Sequence, residues 1–165
     1  MTEPLSSGDG DHLVAIHDHL RGELARVQDL VEQVARGAID VAGARSVVNT
    51  MTMRQNDWTL GTYCATYCRL VTMHHSVEDA YMFPRLSDAD ASLAPVVARL
   101  ESEHHDVAAT LEGLDRSLVE LVGRPELGVD EVRHALGTLS DVLLAHLVYE
   151  EEQLVGPLNR LSIGI

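Results

Sequence analysis

Four stretches of the chain repeat apolar residues at helical spacing, and one position in each stripe is a histidine. The first stripe reads Leu13, Ile16, Leu20, Leu24, Val27, Val31 and Val34, with His17 beside Ile16. The second follows Leu60, Tyr63, Tyr67, Val71, His74, Glu78 and Tyr81; the third Val96, Leu100, His104, Val107, Leu111, Leu114 and Leu118; the fourth Val132, Leu136, Leu139, Leu143, His146, Glu150 and Leu154. Apolar residues three and four apart make one face of a helix, and such a face must be buried against another. Four of them joined by short links, apart from the longer one after the first, predict an all-α, antiparallel up-down-up-down four-helix bundle.

The boundaries follow from breakers. The Gly8-Asp9-Gly10-Asp11 cluster precedes the first helix and Gly37 ends it. Asn56-Asp57 predicts the start of the second helix near Trp58, and Pro84 its end after Met82. The third is expected from Ser92 to Gly123, with Pro95 tolerated in its first turn, and the fourth from Asp130 to Gly156-Pro157. Residues 38–56 carry the weakest signal, with Val47, Val48 and Met51 suggesting a short helix. This gives a short N-terminal segment (1–11), the bundle (12–158) and a loosely packed tail (159–165).

Composition narrows the function classes. Lys+Arg number 12 against 26 Asp+Glu, a formal charge of −14, which argues against nucleic acid or anionic membranes as partners. No leader pattern precedes the first stripe and no apolar run reaches membrane-spanning length, so a cytoplasmic protein is expected. Cys64 and Cys68, one turn apart, read as small buried thiols rather than a disulfide.

The polar residues on the stripes carry the chemistry. His74 with Glu78 and His146 with Glu150 are each four residues apart, so imidazole and carboxylate stand one turn above each other. Each pair has an apolar lead-in, an acidic doublet (Glu78-Asp79, Glu150-Glu151) and a proline just beyond, as one unit used twice. Unpaired, four imidazoles and two carboxylates in a core would cost several kcal/mol each in desolvation, so they predict a buried metal site. Two carboxylates between four imidazoles suit two ions, each holding two histidines and sharing both carboxylates. Mixed nitrogen and oxygen donors without thiolate favour iron over manganese or zinc. The other five histidines, His12, His19, His75, His105 and His134, fall off the stripes and read as surface or supporting residues.

The ordered set also resembles the hemerythrin-like, or HHE cation-binding, domains. The resemblance runs through IHDHLRGEL, CRLVTMHHSVEDAYMFPRL, LESEHHDV and AHLVYEEEQLVGP. It implies a non-haem di-iron centre with an oxo or hydroxo bridge. His17, His74, His104 and His146 would be terminal ligands, with Glu78 and Glu150 bridging. Some relatives place the last carboxylate five residues after the histidine, which would select Glu151 instead. Asp79 then supports a ligand histidine, and Arg21 reads as a surface or helix-pairing residue rather than a catalytic one. Oxygen-carrying members have a second histidine one turn after the third-helix ligand, where this chain has Ala108. That departure implies an imidazole short, with both ions open or one filled by water or a tyrosine, for which Tyr63 and Tyr67 lie closest in helical phase. The expected ligands are dioxygen, hydrogen peroxide and nitric oxide. The primary reading is a peroxidase- or catalase-like oxidoreductase; the alternative is a non-catalytic protein that binds, senses or stores oxygen, nitric oxide or iron.

Overall fold

The apolar stripes become four long helices in a computed structural model that describes residues 8–40 and 46–164, without the side chains of 37–40, 46–59, 62 and 63. Helix α1 is Asp9–Asp40 and α2 Ser46–Val77; a π-helical turn over Glu78–Met82 leads into α3, Phe83–Ala89. Helices α4, Ala94–Gly123, and α5, Asp130–Leu161, complete the set. No strand occurs among the described residues. Packing runs round a ring: α1 against α2, α2 against α4, α4 against α5, and α5 back against α1.

Two apolar clusters fill the interior, and their membership gives the direction of every helix. One contains Leu13, Met82, Phe83, Leu100 and Leu154. The other contains Leu20, Val71, Val107, Leu143 and Leu147. Helices α1 and α4 pass from the first cluster to the second as the chain advances, while α2 and α5 pass the other way. The bundle is therefore antiparallel, up-down-up-down. Between the clusters lies one polar layer: His17, His75, Glu78, His104, His146 and Glu150 are all buried.

Several sequence-based boundaries are corrected. Asn56-Asp57 starts nothing, because α2 is already helical from Ser46. Gly37 does not stop α1, and the Gly8–Asp11 cluster largely belongs to it. The remainder of the weak-signal stretch, 41–45, lies outside the described residues. Pro84 does not end a helix but occupies the first turn of α3, which continues the π turn without a break. Pro157 lies inside α5, which continues to Leu161.

The π turn changes the helical phase. Phe83 donates its N–H back to the Glu78 carbonyl, one residue farther than in an α-helix. The core face, delayed by one position, takes Met82, Phe83 and Leu86 inside and leaves Tyr81 on the surface. On α1, Ile16 lies at the stripe's margin and is exposed, and on α4 Val97 is buried where Val96 was expected. The C-terminal segment is tied down rather than loose. Gly164 donates its N–H to Asp9 at 2.8 Å, and Gly10 donates to the Asn159 side chain at 2.9 Å. No helix among the described residues is long and apolar enough to cross a membrane.

Candidate metal centre

The polar layer is built from one residue of α1, three residues on two consecutive turns of the α2–π segment, one position of α4 and two turns of α5. His17, His74, Glu78 and Glu150 offer donor atoms that all lie within 4.8 Å of one another. His75, His104 and His146 form a second such group. All six residues on the stripes are thus brought together, and His75 joins them.

His75 is the main correction to the sequence reading. It is buried, its ring is stacked on His104 at 4.0 Å, and its centroid is 5.0 Å from that of His146. Adjacent helical positions differ by about 100°, which placed it off the stripe. But α2 packs between α1 and α4, so His74 can face His17 while His75 faces His104. The doublet His74-His75, followed four residues later by Glu78-Asp79, held the signal: two parallel imidazole–carboxylate pairs instead of one. The expected two-and-two grouping of the histidines becomes three and two.

The carboxylates lie between the groups. Glu78 brings Oε1 to 3.1 Å from His74 Nε2 and Oε2 to 3.4 Å from His104 Nε2, one oxygen facing each half. Glu150 Oε2 lies 3.4 Å from His17 Nε2 and 3.5 Å from His146 Nε2. None of these approaches is a hydrogen bond. The Nε2 atoms of His17, His74, His75, His104 and His146, and both oxygens of Glu78 and Glu150, are buried without any hydrogen-bond partner. An unpaired buried polar atom costs about 1–3 kcal/mol, so nine in one layer amount to a ligand shell. The residues fit a pair of cations.

Three outer carboxylates orient the rings. His17 Nδ1 donates to Glu151 at 2.9 Å, His104 Nδ1 to Asp79 at 2.8 Å, and His146 Nδ1 to Glu103 at 3.0 Å. Holding Nδ1 fixes the tautomer that leaves Nε2 free and raises its basicity as a ligand. Two arginines anchor these carboxylates in turn: Arg21 lies 2.8 Å from Glu151, and Arg99 lies 2.7 Å from Glu103 and over the Tyr149 ring. Glu151 therefore stands behind His17 while Glu150 reaches the interior. Arg21 bridges α1 and α5, as expected, and Glu103, which the apolar stripe gave no reason to single out, was missed.

Protonation follows burial. Desolvation, with neighbouring imidazoles adding to it, pushes His74 down to about 4 and His104 down to about 3, and holds His75 far below its ordinary range. All three are neutral at physiological pH, the form that binds metal. Burial, then the neighbouring Glu150, raises the Glu78 carboxyl well above the ordinary range. Burial would also raise Glu151, but hydrogen bonds from Arg21 and His17 outweigh it and hold that group low.

Other candidates fall outside the layer. Tyr67 is buried in the apolar cluster and donates to the Leu20 carbonyl at 3.2 Å, which accounts for its hydroxyl without a metal. The side chain of Tyr63 lies outside the described residues. Ala108 lines a cavity of about 170 Å³ beside His75 and His104. His105 is exposed and donates to the Glu101 carbonyl, and His12, His19 and His134 are likewise exposed. Cys64 and Cys68 are free thiols, pushed up to about 12 and about 11 chiefly by burial.

A four-helix bundle with imidazoles and two shared carboxylates projecting from facing helices defines a metal-binding bundle protein. The sequence model of the hemerythrin HHE cation-binding domain matches residues 9–158, and the chain belongs to that family. No curated protein and no solved structure matches it.

Proposed function

We propose that the layer holds two iron ions and that the protein reacts with small oxidants, hydrogen peroxide first among them. His75, His104 and His146 would hold one ion and His17 and His74 the other, with Glu78 and Glu150 shared. The observation that carries the dinuclear reading is the set of nine unpartnered atoms facing one space, with Glu78 turning one oxygen toward each half.

The unequal split decides where an outside ligand would go. His75, His104 and His146 would supply three imidazoles to one ion and His17 and His74 only two to the other, so the two-imidazole half has one protein donor fewer and would be the one to take an outside ligand. His74 and Glu78, on that two-imidazole half, line a cavity that reaches the surface beside Tyr81 and Val77. Reversible oxygen carriage is favoured by a closed, dry site, whereas an open approach favours exchange of substrate and product.

Iron bound here would supply the electrons that make or break an O–O bond. The chain's own residues do the rest. Glu151, Asp79 and Glu103 hold Nδ1 protons and so keep three rings in place through a change of charge. Asp79 also borders the 170 Å³ cavity, beside Ser76 and His105. Disproportionation of hydrogen peroxide balances without another reductant: two peroxides give dioxygen and two waters.

One observation favours a second reading, a binder of dioxygen or nitric oxide: His75 restores the imidazole that Ala108 lacks, so donor count alone no longer argues against carriage. Stopped-flow mixing separates the two. The peroxide reading expects the diferric protein to consume hydrogen peroxide faster than an equal amount of free iron. A stable, reversible oxygen adduct of the diferrous protein, with no such consumption, rejects it.

A further inference from the structure

Two cavities of opposite character border the two halves of the layer. The one at His75 and His104 is lined by Thr72, Ser76, Asp79 and His105 and has a volume of about 170 Å³. The one at His74 and Glu78 is larger, about 290 Å³, and its walls are Leu13, Ile16, Val77 and Met82, with Tyr81 and Arg85 at the mouth. One water needs only about 10–15 Å³ of such space, so the apolar cavity is many times larger than dioxygen or hydrogen peroxide requires. Its size falls near the lower end of small-molecule pockets, and its plan matches theirs: apolar walls with a few polar groups at one end. His74 and Glu78 line its inner end, and their Nε2 and carboxylate oxygens, buried and unpartnered, lie just behind that wall in the polar layer.

The rim is built, not incidental. Arg85 donates to the carbonyls of Ile163 and Gly164, and Gly164 donates to Asp9, so the C-terminal segment is held as part of the wall. Outside it, Val77 and Tyr81 present apolar surface to solvent at 52% and 62% exposure, an entrance that an apolar body can cross without displacing charge.

We propose that this cavity binds a small organic molecule with an apolar body and a single oxygen-bearing head, the body between Leu13, Ile16, Val77 and Met82 and the head toward His74 and Glu78. An alkyl or aryl hydroperoxide and its alcohol are the class that fits. The proposal rests on the dinuclear reading for the anchor of the head; the body's site stands on the cavity alone.

The test uses the full chain loaded with zinc, which binds without redox turnover, and two probes, 2-phenylpropan-2-ol and cumene hydroperoxide. Methyl NMR should show saturable shifts at Leu13, Ile16, Val77 and Met82 and none at Ala108 or Leu111, beside the other cavity. Val77→Trp and Ile16→Trp, at exposed positions that leave the core intact, should each weaken binding at least tenfold with zinc content unchanged as the folding control. Metal-free protein should bind at least threefold more weakly. Shifts that are absent or unsaturable, or tryptophan variants that bind like the parent, overturn the site; equal affinity without metal overturns the orientation. A zinc content below two per chain counts against the dinuclear reading instead, and the methyl shifts are read independently of it.

Discussion

Replacing His75 by alanine tests the three-and-two division directly. The ring is 6% exposed and stacked on His104 at 4.0 Å, with its Nε2 unpartnered. Without metal, the substitution removes an unsatisfied atom costing about 1–3 kcal/mol, which offsets much of the packing lost with the ring, so metal-free stability should change by less than about 1 kcal/mol. With metal the outcome differs. If losing one of three imidazoles weakens that ion about 100-fold, the stabilisation from binding falls by about 2.7 kcal/mol near saturation. At about 2–4 °C per kcal/mol for a chain of this size, Tm should drop by roughly 5–10 °C in metal and hardly at all in chelator. Elemental analysis should find the second ion depleted. Ala108 borders the same cavity as His75 and His104, so His75→Ala/Ala108→His should regain metal. A His75→Ala protein that keeps two ions at parental affinity, or loses equal stability with and without metal, refutes the reasoning.

Other substitutions separate ligands from their supports. Glu151→Gln and Glu103→Gln should each lower metal affinity about 10- to 100-fold by isothermal titration, because each removes the charge that holds a ligand Nδ1. Tyr67→Phe loses only the bond to the Leu20 carbonyl, so denaturant melts should show about 1 kcal/mol less stability at unchanged metal content; loss of metal would revive the phenol as a ligand. In metal-free protein the folded-state values of His74 and His104, about 4 and about 3, lie below the ordinary unfolded value. The unfolded chain therefore binds more protons, and the stability present above pH 6.5 should decline as pH falls through 4 in urea titrations.

How much was legible in the sequence depends on which periodicity carried it. The stripes held the bundle, because a buried helical face needs apolar residues three and four apart, and His17, His104 and His146 fall on that period. His75 did not, because a helix with two partners buries two adjacent lines of residues and a single stripe records only one. Glu103 escaped for the same reason: it sits beside the stripe, half-buried, and acts through His146. The helix ends misled wherever a proline was taken as a stop, since Pro84 and Pro157 both lie in helices.

Pro84 leads to a sharper test of the α2–α3 passage. The π turn has one residue more than an α turn, and with that residue removed Met82, Phe83 and Leu86 would fall three, four and seven positions after Glu78, the spacing of one α-helical face. Ala80, exposed and in the middle of the turn, is the residue to delete, since Asp79 is needed at His104. A continuous α-helix would then place Pro84 in a helix interior, where its ring meets the carbonyl four residues back at a cost of about 3 kcal/mol or more. Deleting Ala80 alone should therefore destabilise the protein by about that amount, while deleting Ala80 with Pro84→Ala should recover most of it and retain full metal content. Pro84→Ala alone should be nearly neutral, because the burial of Phe83 and Leu86 keeps the π turn in place. As a control, deleting the exposed Ala109 in α4 has no surplus residue to absorb it, and should rotate Leu111, Leu114 and Leu118 out of the core. Thermal melts and metal analysis of the four proteins decide the matter. If deleting Ala80 with Pro84→Ala is as damaging as deleting Ala109, the π turn is not a one-residue surplus and the phase argument for Met82, Phe83 and Leu86 fails with it.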